Sequence, residues 1–154
     1  MKEETLVKKS FHRIKRNTNN LVCREVPILG RSADLVYIKD DSLFSVEFKL
    51  HDWRRAIKQA RDHQLATDYS YICMPNRNVS KILSEELRKY GIGLFFYKEK
   101  GEWPFEVIFE ASRSFEVSEV ARNWTLDFIN EKQGAKNEKI GTSRKTYNKI
   151  RNRR

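Results

Sequence analysis

Between Leu21 and Leu50 the chain carries three apolar runs separated by two very short breaks, and nothing else in the sequence narrows its folding options as much. Leu21 to Ile28 reads as a strand ended by Pro27 and Gly30, Ala33 to Lys39 as a second, and Ser42 to Leu50 as a third. Extended runs joined by a two-residue break form an antiparallel hairpin, because a parallel return needs a long crossover. With Asp40-Asp41 as the turn, Lys39 faces Ser42 and every pair of facing residues sums to 81. Asp34 and Glu47 then lie directly opposite each other, with Cβ atoms about 4.5–5.5 Å apart. Lys49, two residues beyond Glu47, points to the same face. If the chain also reverses around Leu29-Gly30, Glu25 falls opposite Asp34 as well, and three carboxylates and a lysine converge across three strands.

The strands around these groups are otherwise apolar: Leu35, Val36 and Ile38 on one, Leu43, Phe44, Val46 and Phe48 on the other. Such runs suit strands covered on both faces. Two carboxylates opposite each other in that setting repel and are costly to bury. A divalent cation removes the conflict, and oxygen ligands suit Mg²⁺, with Mn²⁺ as a substitute. Lys49 would hold a phosphate or orient the attacking water, so the expected chemistry is phosphodiester hydrolysis. A plainer alternative is an ion-pair ladder in which Asp34 pairs with Arg31 or Lys49, and Glu47 with Lys49.

The remaining chain supplies helices at the spacing an α/β fold needs. Lys2 to Arg16 places Val7, Phe11 and Ile14 on one helical face. A helix from about Asp52 to Ala66, N-capped by Asp52, turns Trp53, Ala56, Ile57 and Ala60 inward. Tyr69 to Met74 is a strand. Val79 to Tyr90 is a helix with Val79, Ile82, Leu83, Leu87 and Tyr90 inward and Gly91 closing it. Gly93 to Lys98 and Glu106 to Phe109 are strands, and Val117 to Ile129 is a final helix with Trp124 on its apolar face. The expected layout is an α/β domain, residues 1–130, built as α-β-β-β-α-β with a mixed sheet flanked by helices.

Charge is unevenly spread. The chain carries 31 Lys and Arg against 21 Asp and Glu; residues 131–154 alone hold nine basic and two acidic side chains, a net of +7. That stretch is too polar to build a core and reads as a flexible basic arm for a polyanion, with Arg144, Lys145 and Lys149 as phosphate contacts. Arg31, and Arg54, Arg55 and Lys58 on the outer side of their helix, are further candidates for nucleic-acid contact. No apolar stretch approaches the roughly 20 residues of a membrane span. The N-terminus lacks a secretory apolar run, and Cys23 and Cys73 form no CxxC pair, so a cytoplasmic protein with reduced, core cysteines is expected. No phosphate-binding glycine loop and no acyl-transfer motif is present. His12, His51 and His63 show no metal-ligand spacing, although His51, near Lys49, is placed to reach a substrate.

Glu25, Asp34 within A-D-L-V, and Glu47-Phe48-Lys49 on an apolar strand together resemble the PD-(D/E)xK nuclease superfamily, as does the α-β-β-β-α-β order. The resemblance covers about Lys2 to Met74. It implies a restriction-endonuclease-like fold, with Asp34 and Glu47 as metal ligands and Lys49 as the catalytic lysine. Glu25 would be the additional upstream acid; in some relatives that acid comes from the first helix, where Glu3 and Glu4 stand. Ala33 replaces the proline of the motif name. Members often carry a glutamine on the helix after the lysine strand, and Gln59 in AIKQA fits that place better than Gln64. The implied activity is a Mg²⁺-dependent DNA endonuclease acting on duplex or branched DNA, of junction-resolving, repair or restriction type, with RNA the lesser partner. The alternative is a non-catalytic nucleic-acid-binding module that keeps the fold. Related nucleases often cut as dimers, for which Trp103 and Phe105 are candidate interface groups.

Overall fold

The computed structural model describes residues 1–136, so Arg144, Lys145 and Lys149 lie outside the described residues. Ten elements follow in order: α1 (Glu3–Asn17), β1 (Val22–Ile28), β2 (Arg31–Lys39), β3 (Ser42–Phe48), α2 (Trp53–His63), β4 (Tyr69–Met74), α3 (Lys81–Tyr90), β5 (Gly93–Tyr97), β6 (Phe105–Phe109) and α4 (Glu119–Lys136). The strands form one sheet in chain order. β1, β2 and β3 are mutually antiparallel, β3, β4 and β5 run parallel, and β6 returns antiparallel to β5. The final helix carries through to Lys136, beyond the 130/131 boundary read from composition.

Helices sit on both faces, as a largely buried mixed sheet requires. On one face α1 contributes Leu6, Val7, Phe11 and Ile14 to a core with Tyr37, Val46, Phe48, Tyr71 and Phe95. On the other, α2 and α3 pack Trp53, Ala56, Ile57, Leu83 and Leu87 against Ile72, Met74, Leu94 and Phe96. α4 lays Ile129 over a core with Cys23, Val26 and Ile28 of β1 and Ala33 and Val36 of β2. Asp52 caps α2 by accepting from Arg55 N at 3.2 Å, and Gly91 ends α3 in the left-handed conformation (φ 68°).

Three expected inward or interface residues lie elsewhere. Ile82 is 56% exposed and Trp124 49%, because the cores reach only part of the apolar faces of α3 and α4. Phe105, offered with Trp103 as an interface group, is buried within the chain and stacks on Phe95, with Trp103 edge-on against it.

The β2–β3 pairing runs from Lys39↔Ser42 to Leu35↔Val46, so the sum of 81 holds at every step. Asp40 (φ 51°) and Asp41 (φ 63°) are both left-handed, which is the type I′ turn whose twist matches a hairpin. Aspartate tolerates that region better than most residues, and glycine tolerates it freely. Asp41→Gly is therefore expected to stabilise the protein by about 0.5–1 kcal/mol, seen as a higher urea midpoint. A lowered midpoint would show that the turn is not built this way.

Candidate active site

β3 alternates Val46 and Phe48 into the α1 core with Glu47 toward α2, which leaves Glu47 only 3% exposed. Asp34 comes to it from β2 by an irregular route. The ladder ends at Leu35↔Val46, and a continued one would set Ala33 against Phe48. Instead the Asp34 carboxylate takes the hydrogen bond from Phe48 N, Oδ2 accepting at 2.8 Å. The strand changes face here: Ala33 and Leu35, two residues apart, belong to different cores. The two carboxyl groups, Asp34 and Glu47, share a hydrogen bond.

Burial, then the charge of Asp34, pushes the Glu47 carboxyl up to about 9, despite the nearby Lys49 ammonium. Burial also raises Asp34, against the opposing pull of the Phe48 N–H, Glu47 and Lys49. The pair therefore holds a proton at neutral pH, because two bare carboxylates this close cannot both stay charged without a counter-ion.

Lys49 follows on the same face, its side chain 17% exposed and its Nζ 3.7 Å from Glu3 Oε1. Glu3, the first residue of α1, also accepts from Leu50 N at 3.1 Å, and its charge is felt by Asp34. The acid that the structure brings to Lys49 is thus Glu3. Glu25 sits where the hairpin arithmetic puts it, since β1–β2 pairs sum to 59 on either side, yet the Glu25/Asp34 step is missing from the ladder. Its backbone is left-handed (φ 52°) and its side chain is exposed. Glu4 is engaged with Lys8 on the surface of α1.

From α2, Gln59 is half-buried with an Oε1 that has no hydrogen-bond partner in the protein. One turn later, His63 is 2% exposed and sets its Nε2 3.8 Å from Glu47 Oε2. Burial lowers His63 to about 4, so at neutral pH this is a contact between two uncharged groups and not an ion pair. His63 has no ligand spacing along the sequence. Its signal was positional: it lies four residues after Gln59, on the side of α2 that faces the sheet.

Arg54, Arg55 and Lys58 are exposed on the outer face of α2, with the Arg54 guanidinium 4.2 Å from the centre of the Trp53 ring. Arg31 is exposed beside the Leu29-Gly30 turn. A cleft of about 770 Å³ opens at the carboxyl ends of β3 and β4, lined by Met1, Leu50, His51, Pro75, Asn76, Arg77 and Asn78. It begins one residue past Lys49, where open α/β sheets place their ligands.

The divalent cation implied by the sequence resemblance would meet Asp34 and Glu47 here. Asp34 and Glu47 offer hard oxygen ligands side by side, and the pair carries fewer charges than its number of acids. Among the described residues no group of three or more His, Cys, Asp or Glu is gathered as a ligand set. Mg²⁺ does not require one, since it is commonly bound by one or two carboxylates plus water and substrate phosphate. The residues fit a hard divalent ion completed by substrate.

No protein-family model matches the chain, and no curated protein matches it. Among solved structures it is similar to the SPO1766 protein of unknown function from Silicibacter pomeroyi, with TM-score 0.58 and 12% identity, covering 92% of this chain and 95% of that one. It is also similar to an XisH family protein from Nostoc punctiforme, with TM-score 0.50 and 12% identity over 69% of this chain and 98% of that one. Pyrococcus furiosus SfsA, solved in complex with Ca²⁺, aligns at TM-score 0.38 and 15% identity over 71% of this chain and 61% of that one, too loosely to carry weight. At these identities the likeness concerns fold alone. The chain has an α/β fold, with a six-stranded mixed sheet between helices. No helix among the described residues is long and apolar enough to cross a membrane.

Proposed function

We propose that this chain is a metal-dependent DNA endonuclease of the PD-(D/E)xK type. The observation that carries the reading is the buried Glu47 beside a half-buried Asp34 that is fixed by Phe48 N, with the Lys49 ammonium acting on both carboxyls. Asp34 and Glu47 would hold Mg²⁺ or Mn²⁺, with Glu3 supplying the further acid in place of Glu25. When bound, the ion would acidify water and offset negative charge on the phosphoryl oxygens. Lys49, steadied by Glu3, orients the phosphate and the attacking water. Gln59 lines the α2 side of the site. The cleft at His51 and Arg77 receives the DNA strand beside the scissile phosphate, while Arg54, Arg55 and Lys58 touch its backbone.

Duplex, single-stranded, flap and four-way-junction DNA incubated with Mg²⁺ is the direct test. Cutting of at least one substrate is expected, with none in EDTA. Asp34→Ala and Lys49→Ala should each slow it by about 100-fold or more. Cleavage that persists in both variants would refute the assignment. A second reading, a binding module that keeps the fold, draws on the net charge of +7 in residues 131–154 and on the exposed position of Glu25. Titration calorimetry with Mn²⁺ separates the two, because a module without a cation site gives no metal heat.

A further inference from the structure

Buried polar atoms nearly always find a partner, so those that do not are informative. Five side-chain atoms among the described residues lack one; two of them, Glu47 Oε2 and His63 Nδ1, belong to the residues that meet between α2 and the acidic pair, and a third, Gln59 Oε1, lies one turn earlier on α2. Each costs about 1–3 kcal/mol in a dry setting. A phenylalanine or leucine at position 63 would fill the same space beneath α2 without that cost. The imidazole is instead held at 2% exposure, with Nε2 3.8 Å from Glu47 Oε2. That separation is too long for a hydrogen bond, and a small rotation of the carboxylate would close it. Helical side chains lean toward the N-terminus of their helix, which aims His63 back along α2 at Glu47.

We propose that His63 is a positioning residue: its Nε2–H holds Glu47 Oε2, so that the other carboxylate oxygen faces the cation beside Asp34. The proposal rests on the metal-dependent reading of the site. A carboxylate free to rotate presents its oxygens to the ion in many orientations, and one anchored through its second oxygen presents a single one. Partners of this kind typically change metal affinity by about 10–100-fold when removed. Asp34 has its own anchor in the Phe48 N–H, so each acid of the pair is fixed by one donor from the protein.

Two variants and one spectrum test this. Mn²⁺ affinity is measured by titration calorimetry and thermal stability by melting in EDTA, for wild type, His63→Phe and His63→Gln. His63→Phe should bind Mn²⁺ about 10–100-fold more weakly while melting no lower than wild type, because the ring fills the space without an orphan nitrogen. His63→Gln keeps an N–H donor and should recover affinity to within a few-fold. A purely structural histidine would lose stability in His63→Phe and leave metal affinity alone. In the unaltered protein, ¹⁵N spectra of the histidine rings with Mg²⁺ should show His63 carrying its hydrogen on Nε2. Wild-type Mn²⁺ affinity in His63→Phe, equal losses in both variants, or hydrogen on Nδ1 would each overturn the role. Absence of Mn²⁺ binding in wild type would overturn both this role and the metal reading. The expected pattern in a protein that cuts no DNA would sustain the role and sink the nuclease.

Discussion

Glu47→Gln is expected to abolish Mn²⁺ binding and DNA cleavage and, in the metal-free protein, to remove a decline of stability with rising pH. Burial, and then the charge of Asp34, raises the folded-state value of Glu47 from its ordinary 4.5 to about 9. Between those limits the folded protein keeps a proton on Glu47 that the unfolded chain has released. The contribution of Glu47 to stability is then greatest below about pH 4.5 and falls as pH rises toward 9, by up to about 1.4 kcal/mol per pH unit. Glutamine keeps the shape and cannot ionise, so that slope is lost. Urea unfolding in EDTA from pH 5 to pH 9 reads it directly. Added Mn²⁺ should flatten the wild-type curve, because the cation replaces the proton as the partner of the two acids, and should leave Glu47→Gln unmoved. A flat wild-type profile in EDTA, or Mn²⁺ heat retained in Glu47→Gln, would remove the basis for a cation between Asp34 and Glu47.

That site was legible in the sequence to the extent that hairpin arithmetic reaches. A two-residue turn fixes which residues face each other, and Asp34, Glu47 and Lys49 follow by counting. The same counting gave Glu25 a place opposite Asp34, and the sum of 59 is present on both sides of it. What counting does not contain is backbone conformation at one residue: the left-handed Glu25 breaks the ladder at that step, and its side chain is left exposed. Glu3 reaches Lys49 from a helix on the opposite face of the sheet, a contact set by how far the N-terminus of α1 overhangs the end of β3. Helical periodicity identified the apolar sides of α3 and α4 without showing how much sheet would lie beneath them, hence the exposed Ile82 and Trp124. Spacing along the chain does not reveal His63, because its partner is a carboxylate on a strand of the sheet beneath α2.

Asp68→Ala is expected to cost about 3–5 kcal/mol, the usual penalty for removing one partner of a buried charged pair. Asp68 is 4% exposed. Its carboxylate accepts from Arg122 Nη2 at 2.9 Å, from Arg122 Nε at 3.1 and 3.2 Å, and from Leu43 N at 2.8 Å. Arg122 also donates to Asp41 O at 3.1 Å, so one residue pair ties α4, the start of β4 and the β2–β3 turn together. This is the end of the hairpin where its register begins, and Asp34 meets Glu47 only if that register holds. Burial alone would raise the Asp68 carboxyl. The Arg122 and Leu43 N–H bonds, with the charges of Arg122 and Arg113, outweigh it and leave the group below its ordinary 3.8. A lowered folded-state value stabilises the fold above pH 3.8 and is lost as pH falls through the folded value. Wild type should therefore lose stability steeply below about pH 4, and Asp68→Asn, which retains an acceptor for Leu43 N without the charge, should show a shallower acid limb from a lower plateau. Thermal melts from pH 2.5 to pH 7 measure both. If Asp68→Ala melts within a degree or two of wild type, the clamp is not what sets the turn, and the hairpin register must be held by the left-handed Asp40-Asp41 pair and the strand cores alone.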